Sequence, residues 1–555
     1  MNFLQHYRKV DTHNRIFLRN FFFLFALPFS TYSFSQGIGG SGIHGNFQFD
    51  AQYYRTDSSI GAPDVPEKLL SNGFANFIYE KDNFSAGLRY ESYLNPLLGY
   101  DSRYKGTGIP FRYLSYKNED LEITAGNYYE QFGSGLIFRC YEERNLGYDN
   151  ALEGIRLKYR PVKGIYLKGI IGNQRNFFST GEGIVRGIDA EMNLNETFSG
   201  FAEKKTKWII GGSYISKFQE DQDPIYVLPK NVGAGSGRIQ FVRGQFNAGV
   251  ELAFKANDPS SDNGFIYKPG HASLVQVSYS KKGLGASIGA KRIDNMSFRS
   301  DRTANLNSLM INYLPAMTKQ HTNILAALYP YATQSNGEFG FQGELFFSLK
   351  PESSLGGTYG TDVTFNYSIA KDIDRQPTGD DLGYTSEYFN LGDEIYFQDF
   401  NLEIIRKLNK QVRMTLTYVY LDYNKGVIEG RPVFGHVYSH IGMAEFNWKL
   451  SAKKALRSEL QHLYTKQDQQ SWALWLVEYS LAPHWFVAGF DQYNYGNNIP
   501  DNRLHYYTLR SGYHRAANRI ALGYGRQRAG ILCVGGVCRN VPASNGFTLS
   551  ITSSF

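Results

Sequence analysis

The sequence predicts an all-β protein: a single large transmembrane antiparallel β-barrel of about 24 strands, with short periplasmic turns and long extracellular loops. Three observations predict it. The chain of 555 residues carries 41 Tyr, 40 Phe and 57 Gly, yet its mean hydropathy is only −0.39. Apolar and polar residues alternate with period two over segments of about 9–13 residues, the length that crosses a bilayer at a tilt. Short turns and long polar loops alternate between those segments, as they do on the two sides of outer-membrane barrels.

Composition removes the competing classes. A disordered chain is poor in aromatics, and this one has 15%. A disulfide scaffold needs many more than 3 Cys. A helical membrane protein needs uncharged apolar runs of about 18 residues, and none follows the N-terminal region.

The N-terminus reads as a secretory signal peptide over residues 1–35. Arg8, Lys9, Arg15 and Arg19 form a basic region, residues 21–29 (FFFLFALPF) an apolar stretch, and Ser33 and Ser35 a small-x-small cleavage site before Gln36. The alternative is a membrane anchor, for which the run is short. Removal takes away four basic residues and one acidic residue, so the formal charge falls from +7 to +4. That is too little to argue for nucleic acid as a partner. The barrel is expected over residues 36–555, in the cell outer membrane, with its lipid as the surrounding phase.

Each strand follows from its alternation. Phe246, Ala248, Val250, Leu252 and Phe254 share one face, and Asn247, Gly249, Glu251, Ala253 and Lys255 the other. Phe84, Ala86, Leu88 and Tyr90 oppose Ser85, Gly87, Arg89 and Glu91, and Val363, Phe365, Tyr367 and Ile369 oppose Asp362, Thr364, Asn366 and Ser368. Short turns are expected at 81–83, 118–120, 161–164, 243–244, 281–283, 408–410, 450–453, 481–484 and 516–517. Long loops are expected at 94–109, 131–152, 218–234, 256–268, 294–336, 370–394, 424–435, 495–502 and 528–544. Counting one strand per segment gives 24 if 294–336 is a single loop. A further hairpin at 307–314 and 321–332 would give 26. Phe547, Leu549, Ile551 and Phe555 share a face of the last strand. This resembles the closing strand of outer-membrane barrels, whose terminal aromatic, here Phe555, is read by the barrel assembly machinery.

A ring of 24 strands has a backbone diameter of about 45 Å. Left open, it would abolish the permeability barrier, so inward-folded loops, a flattened barrel section or a partner protein must fill or constrict it. Two loops are candidates for folding inward. Residues 294–336 contain a semi-apolar stretch at 309–315. Residues 131–152 bring Arg139, Glu142, Glu143 and Arg144 together; these form a constriction network if the loop lies in the lumen, and ordinary solvated charges if it lies on a rim. Parity places Glu122, Arg156, Lys158, Arg160, Lys168, Glu251, Asp362, Arg413, Arg510 and Arg519 on the inner face. Basic residues predominate there, which favours anionic solutes; the plainer reading is that these charges pair and fill space. Tyr53, Tyr90, Tyr129, Tyr420, Trp472 and Trp485 suit interfacial girdles.

No catalytic constellation is convincing, and no cofactor is implied. His271 and Ser273 have the His-x-Ser spacing of outer-membrane phospholipase but lack its surroundings. His436, His440 and His462 lie on neighbouring strands. Aspartates 372, 374, 380, 381 and 393 enrich one loop and have the oxygen chemistry for calcium. Cys533 and Cys538 flank two glycines in an oxidising compartment and are expected to form a disulfide, leaving Cys140 over.

The stretches GNYYEQFGSGLIFRCYEERNLGYDNALEGIRLKYRP (126–161) and LPAMTKQHTNILAALYPYATQSNGEFGFQGELFF (314–347) resemble an uncharacterised outer-membrane barrel family of Bacteroidota. The resemblance implies location and architecture and supplies no catalytic residues. The expectation is a non-enzymatic channel or transport conduit with a loop-restricted lumen. The alternatives are a partner-binding component of an envelope machine such as type IX secretion and, more remotely, a barrel hydrolase.

Overall fold

The computed structural model describes residues 41–555; the leader expected over 1–35 lies outside them. Twenty-four strands form one antiparallel sheet that closes on itself. The first strand, Ser41–Tyr54, pairs with Leu69–Lys81 on one side and with the last, Ser544–Ser554, on the other. Phe49 thus lies opposite both Gly73 and Ile551. Phe555 extends the closure, exchanging backbone hydrogen bonds with Gly45 at 2.9 and 3.0 Å. Closure leaves no unpaired edge, which is what lets a sheet cross a bilayer.

The start of the first strand, the end of the last and the short turns lie at one end. The long connections lie at the other, at 55–68, 96–105, 129–151, 219–230, 256–269, 295–336, 374–390, 425–435, 494–504 and 528–543. Two connections on that side are short, at 177–178 and 465–471, and two on the turn side are long, at 194–205 and 350–360. The segment 295–336 holds no strand of the sheet. It is the longest connection in the ring.

The outside of the ring is apolar. Ile155, Leu252, Leu460, Trp475 and Leu509 are all more than half exposed on it. Such a belt in water would cost about 25 cal/mol for each Å² left wet. Lipid removes that cost, and short turns mark the periplasmic end. The chain is therefore an outer-membrane barrel.

The buried core is inside the ring, not on it. Two clusters fill the loop-side half of the lumen. One joins Phe132, Phe138 and Ile311 to wall residues Val185, Ile215, Val232 and Ile293. The other joins Leu325, Tyr329 and Tyr331 to Val419, Tyr423, Ile441, Leu463 and Trp472. The loop 295–336 supplies both, so it spans the lumen from one wall to the other. Trp472 is 1% exposed and Tyr129 is enclosed against Phe111 and Asp149. Neither sits in a girdle, as their position near strand ends suggested. Packing inside the lumen gives an aromatic at a strand end two apolar places to go.

Candidate functional site: a loop-built plug and its anchors

The plug grows from sequence features of three loops. Gly133 and Gly135 adopt positive φ, of 51° and 99°. These make a tight turn that lets Phe132, Leu136, Ile137 and Phe138 all bury completely. Each such side chain contributes about 2 kcal/mol. Around the turn, Glu130–Gln131 pairs with Arg139–Cys140 and Glu142–Glu143 pairs with Tyr148–Asp149. The second loop adds backbone bonds across the lumen, from the Arg139 N–H to Ile311 at 2.8 Å and from the Tyr313 N–H to Gly135 at 2.9 Å. The third is a hairpin, Gly530–Val534 with Val537–Val541, joined by a Cys533–Cys538 disulfide with Cα atoms 4.0 Å apart. It accepts from the Tyr313 hydroxyl at Gly535 (3.1 Å) and from the Asn307 amide at Cys538 (2.6 Å).

Loops inside a lumen have carbonyls with no ladder to join, and these need donors. The wall supplies them. Lys217 donates to the Arg299 carbonyl at 2.7 Å, Lys255 to Ser297 at 2.5 Å, Lys291 to Pro315 at 2.5 Å and Gln174 to Met310 at 2.7 Å. Lys217 and Lys291 also meet carboxylates, Asp258 and Glu338, at 2.7 Å. Across the ring, His321 lies 2.7 Å from Asp399, Asn323 donates to Glu459 at 2.7 Å, and the Leu325 N–H donates to Gln461 at 2.8 Å. The plug is tied to both walls.

Two charge networks tie the first loop down. Glu130 lies 2.9 Å from Lys158, 3.0 Å from Lys168 and 3.7 Å from Arg156, and Arg156 also pairs with Glu122. Burial alone would raise the Glu130 carboxyl, but Lys168 and Lys158 hold it below its ordinary value. Behind it, Arg175 meets Glu91 and Asp149 at 2.6 Å, and Arg89 meets Glu91 at 2.6 Å, Glu142 at 2.9 Å and Asp149. Asp149 is likewise held low against burial by Arg175 and Arg89. Buried pairs of this kind add little net stability, but removing one partner is costly, so they fix position.

The structure thus gathers Glu122, Arg156, Lys158 and Lys168 around one loop carboxylate. Arg413 and Arg510 share the inner parity, opposite Asn447 and Gly523, but are exposed and remote from the plug. Of the loop charges, Glu142 and Arg144 pair at 2.7 Å and join the second network. Arg139 instead lies between the rings of Tyr141 and Tyr313, 4.2 Å from each, and Glu143 caps the Asn145 N–H at 3.2 Å. Cys140 is free and buried, with burial pushing its thiol up to about 12.

The remaining candidates disperse. Asp372 pairs with Arg375, while Asp374 and Asp380 accept from Gln376 and Thr378. Among the described residues no three His, Cys, Asp or Glu side chains gather as metal ligands. His271 faces outward against Phe254 at 5.1 Å, and no hydrogen bond joins it to Ser273. The anchors Glu130, Lys217, Lys255 and Lys291 escape sequence reading. Their one signal is a charged residue of inner parity at the loop end of a strand, as Lys255 is beside Glu251 and Ala253.

Below the plug, toward the turns, a cavity of about 540 Å³ remains. Gln240, Asn247, Gln276 and Gln342 line it, and Ser134 and Met317 of the plug roof it.

Fold and lumen together define an outer-membrane β-barrel whose own loops pack into its lumen. The chain belongs to the family of unknown function DUF6029, which matches residues 14–555. No curated protein matches it in sequence. Among solved structures it is similar to the P pilus usher (PapC) translocation pore, at 8% identity over 92% of this chain and 99% of that one, with a TM-score of 0.41. It is also similar to a mutant ferric enterobactin receptor (PfeA) from Pseudomonas aeruginosa, at 12% identity over 93% and 81% with a TM-score of 0.41. The copper transporter OprC matches at 9% identity over 94% and 81%, with a TM-score of 0.38.

Proposed function

We propose that this barrel is a non-enzymatic transport conduit of the outer membrane, held shut by its loops and opened by displacing part of the plug. The observation that carries the reading is the plug itself. A ring of 24 strands encloses far more space than a membrane anchor needs, and loops that arise on the outer side fill only its outer half. The inner half keeps a polar cavity. Many of the contacts holding the plug are hydrogen bonds and ion pairs, which water and a solute can replace in the open state.

Planar-bilayer recording of the purified protein tests it. The native chain is expected to rest closed with rare openings. Replacing residues 296–335 by a short linker is expected to give a large steady current. A folded barrel without that segment that still carries no current overturns the proposal.

One observation favours a second reading, a partner-binding component of an envelope machine. Three outer loops expose bare apolar tips, with Val227 82%, Phe389 89% and Val433 96% exposed. The first tip is preordered, since Tyr226 stacks on Phe265 at 4.6 Å and Tyr267 donates to the Val227 carbonyl at 3.0 Å. Exposed, ordered apolar groups suit a docking surface. A stoichiometric envelope protein that copurifies with the native chain, and is lost on Phe389→Ser with Val227→Ser, would favour this reading.

A further inference from the structure

The outer face of the plug carries its own cavity, of about 470 Å³. Its walls come from loop segments around 99–104, 146–150, 175–177, 306–309, 428–431 and 531–540, which reach the mouth from distant parts of the ring. The volume is that of a small-ligand site.

Its charges do not balance. Two of its three carboxylates have cationic partners, and the third has only a hydroxyl donor. Asp101 pairs with Arg103 at 2.7 Å, Asp149 lies between Arg175 and Arg89, and Glu429 accepts from the Tyr423 hydroxyl at 3.3 Å. Arg431 and Arg539 have no carboxylate among the described residues. Arg539 lies 4.4 Å over the Tyr100 ring and donates its Nε–H to the Asn145 carbonyl at 2.8 Å. Its Nη1 is enclosed without an acceptor. A guanidinium cannot shed its proton, so a half-enclosed one without an anion is a standing cost. The same wall presents the side-chain amides of Asn176 and Asn540, which have no hydrogen-bond partner among the described residues. The disulfide hairpin holds Arg539 and Asn540 directly after Cys538.

We infer that this cavity is an outward-facing capture site for a small polyhydroxylated anion, an acidic sugar of one or two rings. Arg431, and Nη2 of Arg539, provide charge-assisted donors for its carboxylate. Asn176 and Asn540 provide amides for ring hydroxyls. The inference deepens the conduit reading by naming what is captured, and rests on it only for the onward path of the ligand.

Calorimetric titration of the full chain in lipid nanodiscs tests it, with digalacturonate as probe and cellobiose as its neutral counterpart. Digalacturonate is expected to bind at least tenfold more tightly than cellobiose. The double variant Arg431→Gln, Arg539→Gln is expected to lose at least tenfold in digalacturonate affinity, whereas Lys410→Gln, in a turn at the opposite end, keeps it. Absence of digalacturonate binding, equal binding of cellobiose, or full affinity in a folded double variant each overturns the site. The comparison of the two sugars on the native chain decides the matter even if the double variant misfolds. Binding without current in bilayers would remove the conduit and leave the site, and current without binding would remove the site alone.

Discussion

The Glu130 carboxylate and the Lys168 ammonium meet at 3.0 Å, one on the plug and the other on the barrel wall. Lys158 approaches the other oxygen of the same carboxylate at 2.9 Å. A single loop side chain thus joins the plug to two strands, Leu152–Tyr159 and Ile165–Asn176. Glu130→Gln keeps the shape and removes the charge. Charge-assisted hydrogen bonds of this type contribute about 2 kcal/mol. Single-channel recording should show the closed-to-open ratio falling roughly thirtyfold. An unchanged open probability in the folded variant would separate Glu130 from gating.

Acid should act through the same tethers. Glu130 lies below its ordinary 4.5 and Asp149 below its ordinary 3.8, so both are ionised and paired at neutral pH. A lowered folded-state pKa gives stability that is present above the unfolded value and lost as pH falls through the folded one. Openings should therefore rise as pH drops below about 4 and reverse on return to neutrality. Current that is flat down to pH 3 would contradict this.

A side chain at Gly133 would have to displace the Glu251 carboxylate from a strained backbone position. A Cβ there would lie 2.5 Å from Oε1 of Glu251, whose Oε2 already accepts from the Ser134 N–H at 2.8 Å, and φ is +51°. Gly133→Ala combines a clash with backbone strain and should cost about 1–3 kcal/mol. Because the loss falls on the plug, protease cleavage within 129–151 should accelerate while the barrel keeps its strand spectrum. A variant as resistant as the native chain would mean that the turn tolerates displacement.

The inward position of Trp472 can be read by fluorescence. It is 1% exposed inside the lumen, whereas Trp475 and Trp485 are 60% and 53% exposed on the outside of the ring. Brominated lipid should quench a variant retaining only Trp475 or only Trp485, and leave one retaining only Trp472 bright. Strong quenching of Trp472 would put it on the lipid face. Trp472→Ala should cost about 3–5 kcal/mol, the loss expected of a buried tryptophan.

Much of the barrel was legible in the chain because the signal is local. Side chains alternate across a strand, so Leu252 and Phe254 turn outward and Glu251 and Ala253 inward whatever lies elsewhere. The same parity located Glu122, Arg156, Lys158 and Lys168 on one face. Trp472 misled because its strand is apolar on both faces near the outer end, where Leu474 packs inward and Trp475 outward. The run Tyr418–Tyr420–Leu421–Tyr423 has the same double-sided character. That doubling is itself a mark of a filled lumen, since an aqueous one would demand a polar inner face.

The order of residues alone determined the class, the strand count, the membrane and the faces of the strands that alternate cleanly, because each depends on spacing of a few residues along the chain. The tertiary structure decided what those faces meet. Glu130 finds Lys168 across 38 residues, Lys255 finds the Ser297 carbonyl across 42, and Leu325 finds Gln461 across 136. Such contacts carry no periodicity in the sequence. They exist only once ring closure has brought distant strands around one shared space and the loops have had to satisfy their polar groups within it.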